Sequence, residues 1–302
     1  MKGRVVRVSG LQCVVEMGDE QWQCDLRGRL KAGVRESTSP VITGDWVEVE
    51  PTAPATGIVG KVYPRYSKFS RLASGSRPYE QIMAVNLDQL IVVVATRNPS
   101  LRIGFIDRAV VMALSGNIQP VICINKIDLD PGGSIRPTAQ VYQDLGYQVC
   151  STSAKTGEGI ESLEELLKDR VSAFIGHSAV GKSSLLNKID PDLSIKTDRL
   201  MMKHDRGRHT TAAAQLYRLK KDGGYVTDTP GIKELQLWQI DRTNLVDYFT
   251  EMAPLVGDCQ FRDCIHVHEP GCAVRQAVEQ GEIAPIRYDG YKRIIEHMGA
   301  MP

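Results

Sequence analysis

The chain runs to 302 residues, 42% of them hydrophobic and 24% charged, which is length for about two domains and ample to bury a core. Its 37 Lys and Arg face 36 Asp and Glu, a net charge of +1, so global charge does not mark a polyanion binder and any nucleic-acid surface has to be a local patch. The longest purely aliphatic run, residues 90–95, is far shorter than the roughly 20 residues that cross a bilayer, and the N-terminus lacks the apolar core of a signal sequence. The chain reads as cytoplasmic, without membrane contact.

Residues 1–72 carry five short β-type runs, at 3–8, 12–17, 21–26, 46–50 and 58–63, separated by Gly, Asp and Pro. Five such runs predict a small barrel; the OB-fold fits the size and spacing, and periodicity leaves an SH3-like barrel open. This region has eleven basic against eight acidic side chains, a net +3, and Lys61, Arg65, Lys68 and Arg71 interleave with Tyr63, Tyr66 and Phe69. Cations beside aromatics suit phosphates and stacked bases; a solvated barrel edge leading into a linker is the alternative.

After the Ser/Gly/Arg/Pro stretch at 73–78, near-continuous apolar runs at 89–95, 120–124 and 172–175 have the character of buried parallel strands. Helical segments at 105–114, 138–145, 160–167 and 183–188 alternate with them. The pattern predicts an α/β domain with ligand loops at strand ends.

In chain order, the first chemical motif is Asn125-Lys126-Ile127-Asp128. A carboxylate at Asp128 accepts hydrogen bonds from guanine N1 and N2, donors that adenine does not offer in that arrangement. Asn125 is expected to contact the base and tie loops together, and the stem of Lys126 to cover the base face. Ser153-Ala154-Lys155 reads as a second base loop, with the Ala154 amide toward guanine O6. Then come Gly176-His177-Ser178-Ala179-Val180-Gly181-Lys182-Ser183 and Ser184, a G-x-x-x-x-G-K-S loop after an apolar strand and before a helix. Its glycines let backbone N–H groups curl round a β-phosphate, Lys182 neutralises β/γ charge and the Ser183 hydroxyl suits Mg²⁺. The base-reading half precedes the phosphate half, so the site is assembled in permuted order.

In Gly207-Arg208-His209-Thr210-Thr211 either threonine can close over Mg²⁺, Thr210 being the one assigned to the site, and His209 can position or polarise water. The wider segment 196–209 has five basic and two acidic residues, a net +3 that suits RNA phosphate as well as the nucleotide. Asp228-Thr229-Pro230-Gly231 fits D-x-x-G, with Asp228 holding Mg²⁺ through water and the Gly231 amide reaching the γ-phosphate. Ile232 follows, and an aliphatic side chain cannot orient a nucleophilic water, so another group has to do so. Seven cysteines are present, and Cys259, Cys264, His266 and Cys272 form a C-x4-C-x-H-x5-C cluster. Three thiolates and an imidazole complete a closed tetrahedral zinc site of the structural kind, with His268 as the competing imidazole. Residues 275–298 read as one helix.

Taken together, the segments 125–128, 153–155, 176–187, 207–211, 228–231 and 259–272 resemble the RsgA (YjeQ) family of circularly permuted small ribosomal subunit biogenesis GTPases over nearly the whole length. The resemblance implies a multidomain chain: an N-terminal OB-fold β-barrel that binds RNA (1–72), a central α/β circularly permuted P-loop GTPase (80–237) and a C-terminal α-helical zinc-binding domain (238–302). It further implies GTP hydrolysis with Mg²⁺, binding of the 30S subunit and its 16S rRNA near the decoding centre in late maturation, stimulation by that subunit, and His209, Lys182 and Thr210 as catalytic residues. One structural Zn²⁺ and a monomer are expected. An RNA-binding scaffold that keeps GTP as a structural ligand is the alternative that Ile232 favours. The family usually has Gly where this loop has Ala179; a Cβ is accommodated there if φ stays negative, so nucleotide binding is expected to survive. The N-terminus is shorter than the basic extension of some members, which lowers the RNA affinity expected of it.

Overall fold

The computed structural model describes residues 1–28, 30, 39–73, 79–193, 214–221, 223–228 and 235–299. Strands β1 (Lys2–Ser9), β2 (Gln12–Met17), β3 (Glu20–Leu26), β4 (Trp46–Ala53) and β5 (Thr56–Val62) pair in the order β1-β2-β3-β5-β4, and β4 returns to β1 through Lys2↔Glu48, Gly3↔Val47 and Arg4↔Trp46. The β3–β5 pairing is parallel. A meander of hairpins cannot produce a parallel neighbour, so the barrel is of the Greek-key OB type and not SH3-like. β1 carries a bulge between Val5 and Arg7, and the alternation of the strand sends Val5 and Val6 to different cores. Val5 packs inside the barrel with Val15, Val47, Val49 and Val59, while Val6 joins Val14 in the core of the neighbouring sheet.

A hairpin of β6 (Lys68–Ala73) and β7 (Tyr79–Val85) follows. Phe69, Ala84 and Val85 are fully buried, so the alternative of a solvated edge leading into a linker does not hold for Phe69. Gly44, at φ +99°, is required where the barrel meets this hairpin, because a Cβ there would lie 2.0 Å from the Val85 carbonyl oxygen.

The second layer contains β8 (Gln89–Ala95), β9 (Gln119–Asn125), β10 (Gln148–Ser151), β11 (Val171–Ile175), β12 (Gln215–Arg218) and β13 (Tyr225–Asp228), ordered β10-β9-β8-β11-β13-β12. All of these pairings are parallel except that of β12. Every residue of β8 is buried, and the pleat divides them between two faces. Leu90, Val92 and Val94 pack beneath α1 (Ile103–Ser115) and α2 (Arg136–Asp144). Ile91, Val93 and Ala95 pack beneath α3 (Ile160–Leu167) and α4 (Lys182–Ile189). Burial on both faces is why the strand reads as unbroken apolar sequence. The chain runs outward through β8, β9 and β10 and then returns to place β11 beside β8, so the switch point where open α/β sheets bind ligands lies between β8 and β11. The barrel joins the far edge of this sheet at Arg7↔Gln215, and Thr43 Oγ1 donates to the Ala214 carbonyl at 2.8 Å.

The C-terminal residues form turns of 3-10 helix at Leu245–Tyr248 and Ala253–Asp258, then α5 (Ala273–Glu279) and α6 (Pro285–Gly299). The single helix expected over 275–298 is therefore two. Gly281 at φ 79° ends the first and Pro285 starts the second, the positions each residue favours. This module docks on α1 through Val111 and a buried ionic cluster of Asp107, Arg287 and Glu251.

Candidate functional site

At the switch point, one side chain connects three loops. Asn125, 1% exposed at the end of β9, donates through Nδ2 to the Val180 carbonyl of the phosphate loop at 2.8 Å. Its Oδ1 accepts from the Ala154 amide at 3.2 Å and from Thr152 Oγ1 at 3.3 Å. The next residue, Lys126, is left-handed at φ 62°, and its carbonyl accepts from Thr96 Oγ1 at 2.7 Å. A non-glycine residue in this conformation is held there by its surroundings and marks functional loops. Lys126 Nζ reaches across to the Ala179 carbonyl at 2.6 Å and also donates to the Asn98 carbonyl. Asp128 is half-buried and accepts from Ser153 Oγ at 2.7 Å; one carboxylate oxygen is thus fixed from the second base loop. Lys155 is exposed beside it.

The phosphate loop leaves β11 at Gly176 and enters α4 at Lys182. Close approach explains both glycines: a Cβ on Gly176 would lie 2.4 Å from the Val93 carbonyl oxygen, and one on Gly181, at φ 102°, 2.3 Å from Asn125 Nδ2. Lys182 Nζ folds over the loop and donates to the carbonyls of Gly176 at 2.9 Å and His177 at 3.2 Å. Ser183 sits in the first turn of α4, Ser178 and Ser184 are exposed, and the uncovered N–H groups of that turn favour an anion. Burial, with Arg102 and Lys182 alongside, holds the His177 imidazole below the ordinary histidine pKa, and its ring packs on Phe105 at 4.4 Å between centroids. Ala179 departs from expectation: its φ is +65°, so the Cβ is carried in the left-handed region and not at negative φ.

The cysteine cluster is equally specific. The ligand atoms of Cys259, Cys264, His266 and Cys272 lie within 4.8 Å of one another. His266 Nδ1 is 3.5 Å from both Cys259 Sγ and Cys272 Sγ, as donors sharing one tetrahedral zinc should be at about 3.5 Å, given metal bonds of about 2.3 and 2.0 Å. The residues fit zinc, with Nδ1 as the histidine ligand. His266 is at φ 61°, with its carbonyl held by Tyr288 OH at 2.8 Å. His268, the competing imidazole, is exposed and lies outside the cluster. Burial disfavours the Glu269 carboxylate, but backbone N–H groups including those of Ile265, Val267 and His268 outweigh it and hold the pKa at about 2.

The family model described as RsgA GTPase matches residues 62–238. The chain is 38% identical over 309 residues to the small ribosomal subunit biogenesis GTPase RsgA of Chlorobaculum tepidum, covering 99% of this chain and 98% of the relative. It is 40% identical over 291 residues to that of Moorella thermoacetica, covering 96% and 95%. Among solved structures it resembles YjeQ from Thermotoga maritima, with a TM-score of 0.81 at 35% identity over 100% of this chain and 99% of the other. It also resembles the circularly permuted GTPase YloQ, with a TM-score of 0.75 at 29% identity over 100% and 96%. The chain belongs to the RsgA GTPase family. It is a GTP hydrolase built on an OB-type barrel and a permuted α/β core.

Several residues singled out in the sequence fall outside the described part of this RsgA-family chain: His209, Thr210, Gly231 and Ile232, and the side chain of Asp228. Asp228 itself ends β13, paired with Phe174 of β11 beside the phosphate loop. On the barrel, the expected cation–aromatic patch is mostly structural. Arg65 grips buried Asp45 through Nε at 2.7 Å and Nη2 at 2.8 Å. Tyr66 OH donates to the Asn86 carbonyl at 2.7 Å, Phe69 is core, and Lys68 pairs with Glu80 at 2.8 Å. Arg71 Nε donates to Gln81 Oε1 at 3.0 Å, whereas Lys61 and Tyr63 lie on a surface that also includes Lys2, Arg4 and Trp46. Lys2 lies 4.8 Å over the Trp46 ring and 5.2 Å over Tyr63, and Arg4 4.6 Å over Trp46. Lys2 and Arg4, two apart on β1, share one face, a period-2 signal that the sequence contains.

Proposed function

We propose that this chain is a guanine-specific GTPase of small ribosomal subunit biogenesis, acting late in 30S maturation and binding 16S rRNA near the decoding centre, with hydrolysis stimulated by the subunit. The observation that carries the guanine-specific site is Asn125, whose one amide ties both base-reading loops to the phosphate loop; the subunit assignment rests on the names of the relatives. In this reading Asn125, Asp128 and Ala154 contact the base, and the stem of Lys126 covers it. Residues 176–184 wrap the phosphates, and Lys182 exchanges its two loop carbonyls for β- and γ-oxygens. Ser183, Thr210 and Asp228 would hold Mg²⁺, which supplies charge neutralisation between the phosphates when bound. His209 orients water in place of a glutamine, since Ile232 cannot.

The proposed units are an RNA-binding barrel (1–72), a permuted GTPase domain (80–237) and a zinc domain (238–302), the last held by Cys259, Cys264, His266 and Cys272 around one structural zinc. Cytoplasmic location and a monomer complete the reading; among the described residues no helix is long and apolar enough to cross a membrane. After the Asp228–Gly231 element the chain passes Leu235, whose carbonyl accepts from Arg108 at 3.4 Å, and Gln236, whose carbonyl accepts from the Leu72 amide at 3.0 Å, before entering the zinc module. Contacts at the γ-phosphate therefore have a short covalent path to that module, and GTP favours a subunit-binding arrangement that hydrolysis releases.

GTP turnover with and without mature small subunits, for the native chain and a His209→Ala variant, tests the reading. Strong stimulation that the variant loses is expected. Tight subunit binding without stimulation would favour the scaffold that keeps GTP as a structural ligand.

A further inference from the structure

Beside the nucleotide cradle lies a separate cavity of about 760 Å³, between the start of α1, the phosphate loop, residues 235–240 and the last turns of α6. Arg102, Arg108 and Arg293 line it together with His177 and His297, and no carboxylate does among the described residues. Its remaining wall is apolar apart from Gln236 and includes Phe105, against which the His177 ring is packed. A cleft lined by one sign of charge with low-dielectric walls concentrates counter-ions. Guanidinium forks match phosphate oxygens in pairs and stack on flat rings, and the volume is that of sites for drug-sized ligands.

We propose that this cavity is a second ligand site, which takes a nucleotide unit with its phosphate against the arginines and its base on the Phe105–His177 wall. Two features couple it to the GTP site. His177 is the second residue of the phosphate loop, and Leu235 follows the Asp228–Gly231 element within a few residues. An occupant touches both, so it favours whichever nucleotide state of the loop it fits and is favoured by it in return. The coupling, though not the binding, depends on GTP occupying the loop. The same chemistry is offered by a free nucleotide and by an unpaired nucleotide of RNA.

The full-length chain, saturated with a non-hydrolysable GTP analogue, is titrated with adenosine 5′-monophosphate and separately with a short oligoadenylate. Adenine probes are used because Asp128 excludes them from the guanine pocket. Calorimetry and the histidine ring resonances are read. Saturable binding that shifts the rings of His177 and His297 is expected, weakened about tenfold or more by Arg102→Glu/Arg293→Glu. Both arginines are exposed, and analogue affinity within about twofold of native serves as the folding control. Binding of the monophosphate assigns a free nucleotide; binding of the oligoadenylate alone, with the same sensitivity, assigns RNA. The proposal is overturned if neither probe moves the two histidines, if binding survives the double substitution, or if binding is lost on Lys2→Glu/Arg4→Glu instead.

Discussion

Replacing Arg287 by Met tests what holds the C-terminal module to the nucleotide domain. Arg287 is 1% exposed and faces two carboxylates, Asp107 (0%) and Glu251 (9%), with its Nε 2.8 Å from Glu251 Oε1 and its Nη1 on Asp107 Oδ1. Its guanidinium lies 4.6 Å over the Phe249 ring and 5.3 Å over Tyr142, whose hydroxyl donates to Asp107 at 2.8 Å. Methionine fills much of the volume but leaves two buried carboxylates without a cation, a loss of about 3–5 kcal/mol. In a chain of this size that lowers Tm by about 10 °C at pH 7.5.

The deficit depends on pH in a definite direction. Burial, with Glu251 adding to it, raises the Asp107 carboxyl to about 6 against the opposing pull of Arg287 and Tyr142. The folded state therefore holds a proton that the unfolded chain releases near pH 4, so this group's contribution is present at low pH and lost as pH rises through about 6. Without Arg287 the carboxyl rises further and is neutral at pH 5.5, and the deficit shrinks there. Thermal unfolding of native and variant chains at pH 5.5 and 7.5 measures this. A fall below about 3 °C at pH 7.5, or a larger deficit at pH 5.5, would refute the reasoning.

Ala179→Gly relieves a left-handed Cβ strain of about 1 kcal/mol, partly offset by freedom gained in the unfolded chain; calorimetry should find Tm raised by about 1–3 °C and GTP affinity nearly unchanged. Chelation, or His266→Ala, should take the metal content from about one zinc per chain to near zero and loosen the packing of the module on α1, seen as a Tm loss with the nucleotide site still occupied. Lys2→Glu/Arg4→Glu should weaken single-stranded RNA binding and reduce its salt slope by about two, with GTP binding unaltered.

What the sequence disclosed was whatever rests on local pattern. The two-faced burial of β8 produces an unbroken apolar run, and the phosphate loop, base loops and zinc ligands are spaced by their own chemistry. Hidden features depend on partners distant in the chain. Arg65 and Tyr66 look like an RNA face until Asp45 and Asn86 are brought to them. The left-handed φ of Ala179 is set by the tight loop it occupies, where Lys126 Nζ grips its carbonyl, and residue type alone gives no hint of it. The Asp107–Arg287 pair spans 180 positions. The break at Gly281 and Pro285 was visible, and helix-compatible residues on either side masked it.

The central claim is that the γ-phosphate controls engagement of the small ribosomal subunit. Its most direct test is the affinity of the full-length chain for mature small subunits in the GTP-analogue and GDP states, under identical salt. Binding at least about tenfold tighter with the analogue, a difference of about 1.4 kcal/mol, is predicted. Equal affinity in the two states would contradict the account, since a ligand that does not distinguish two states cannot shift the balance between them.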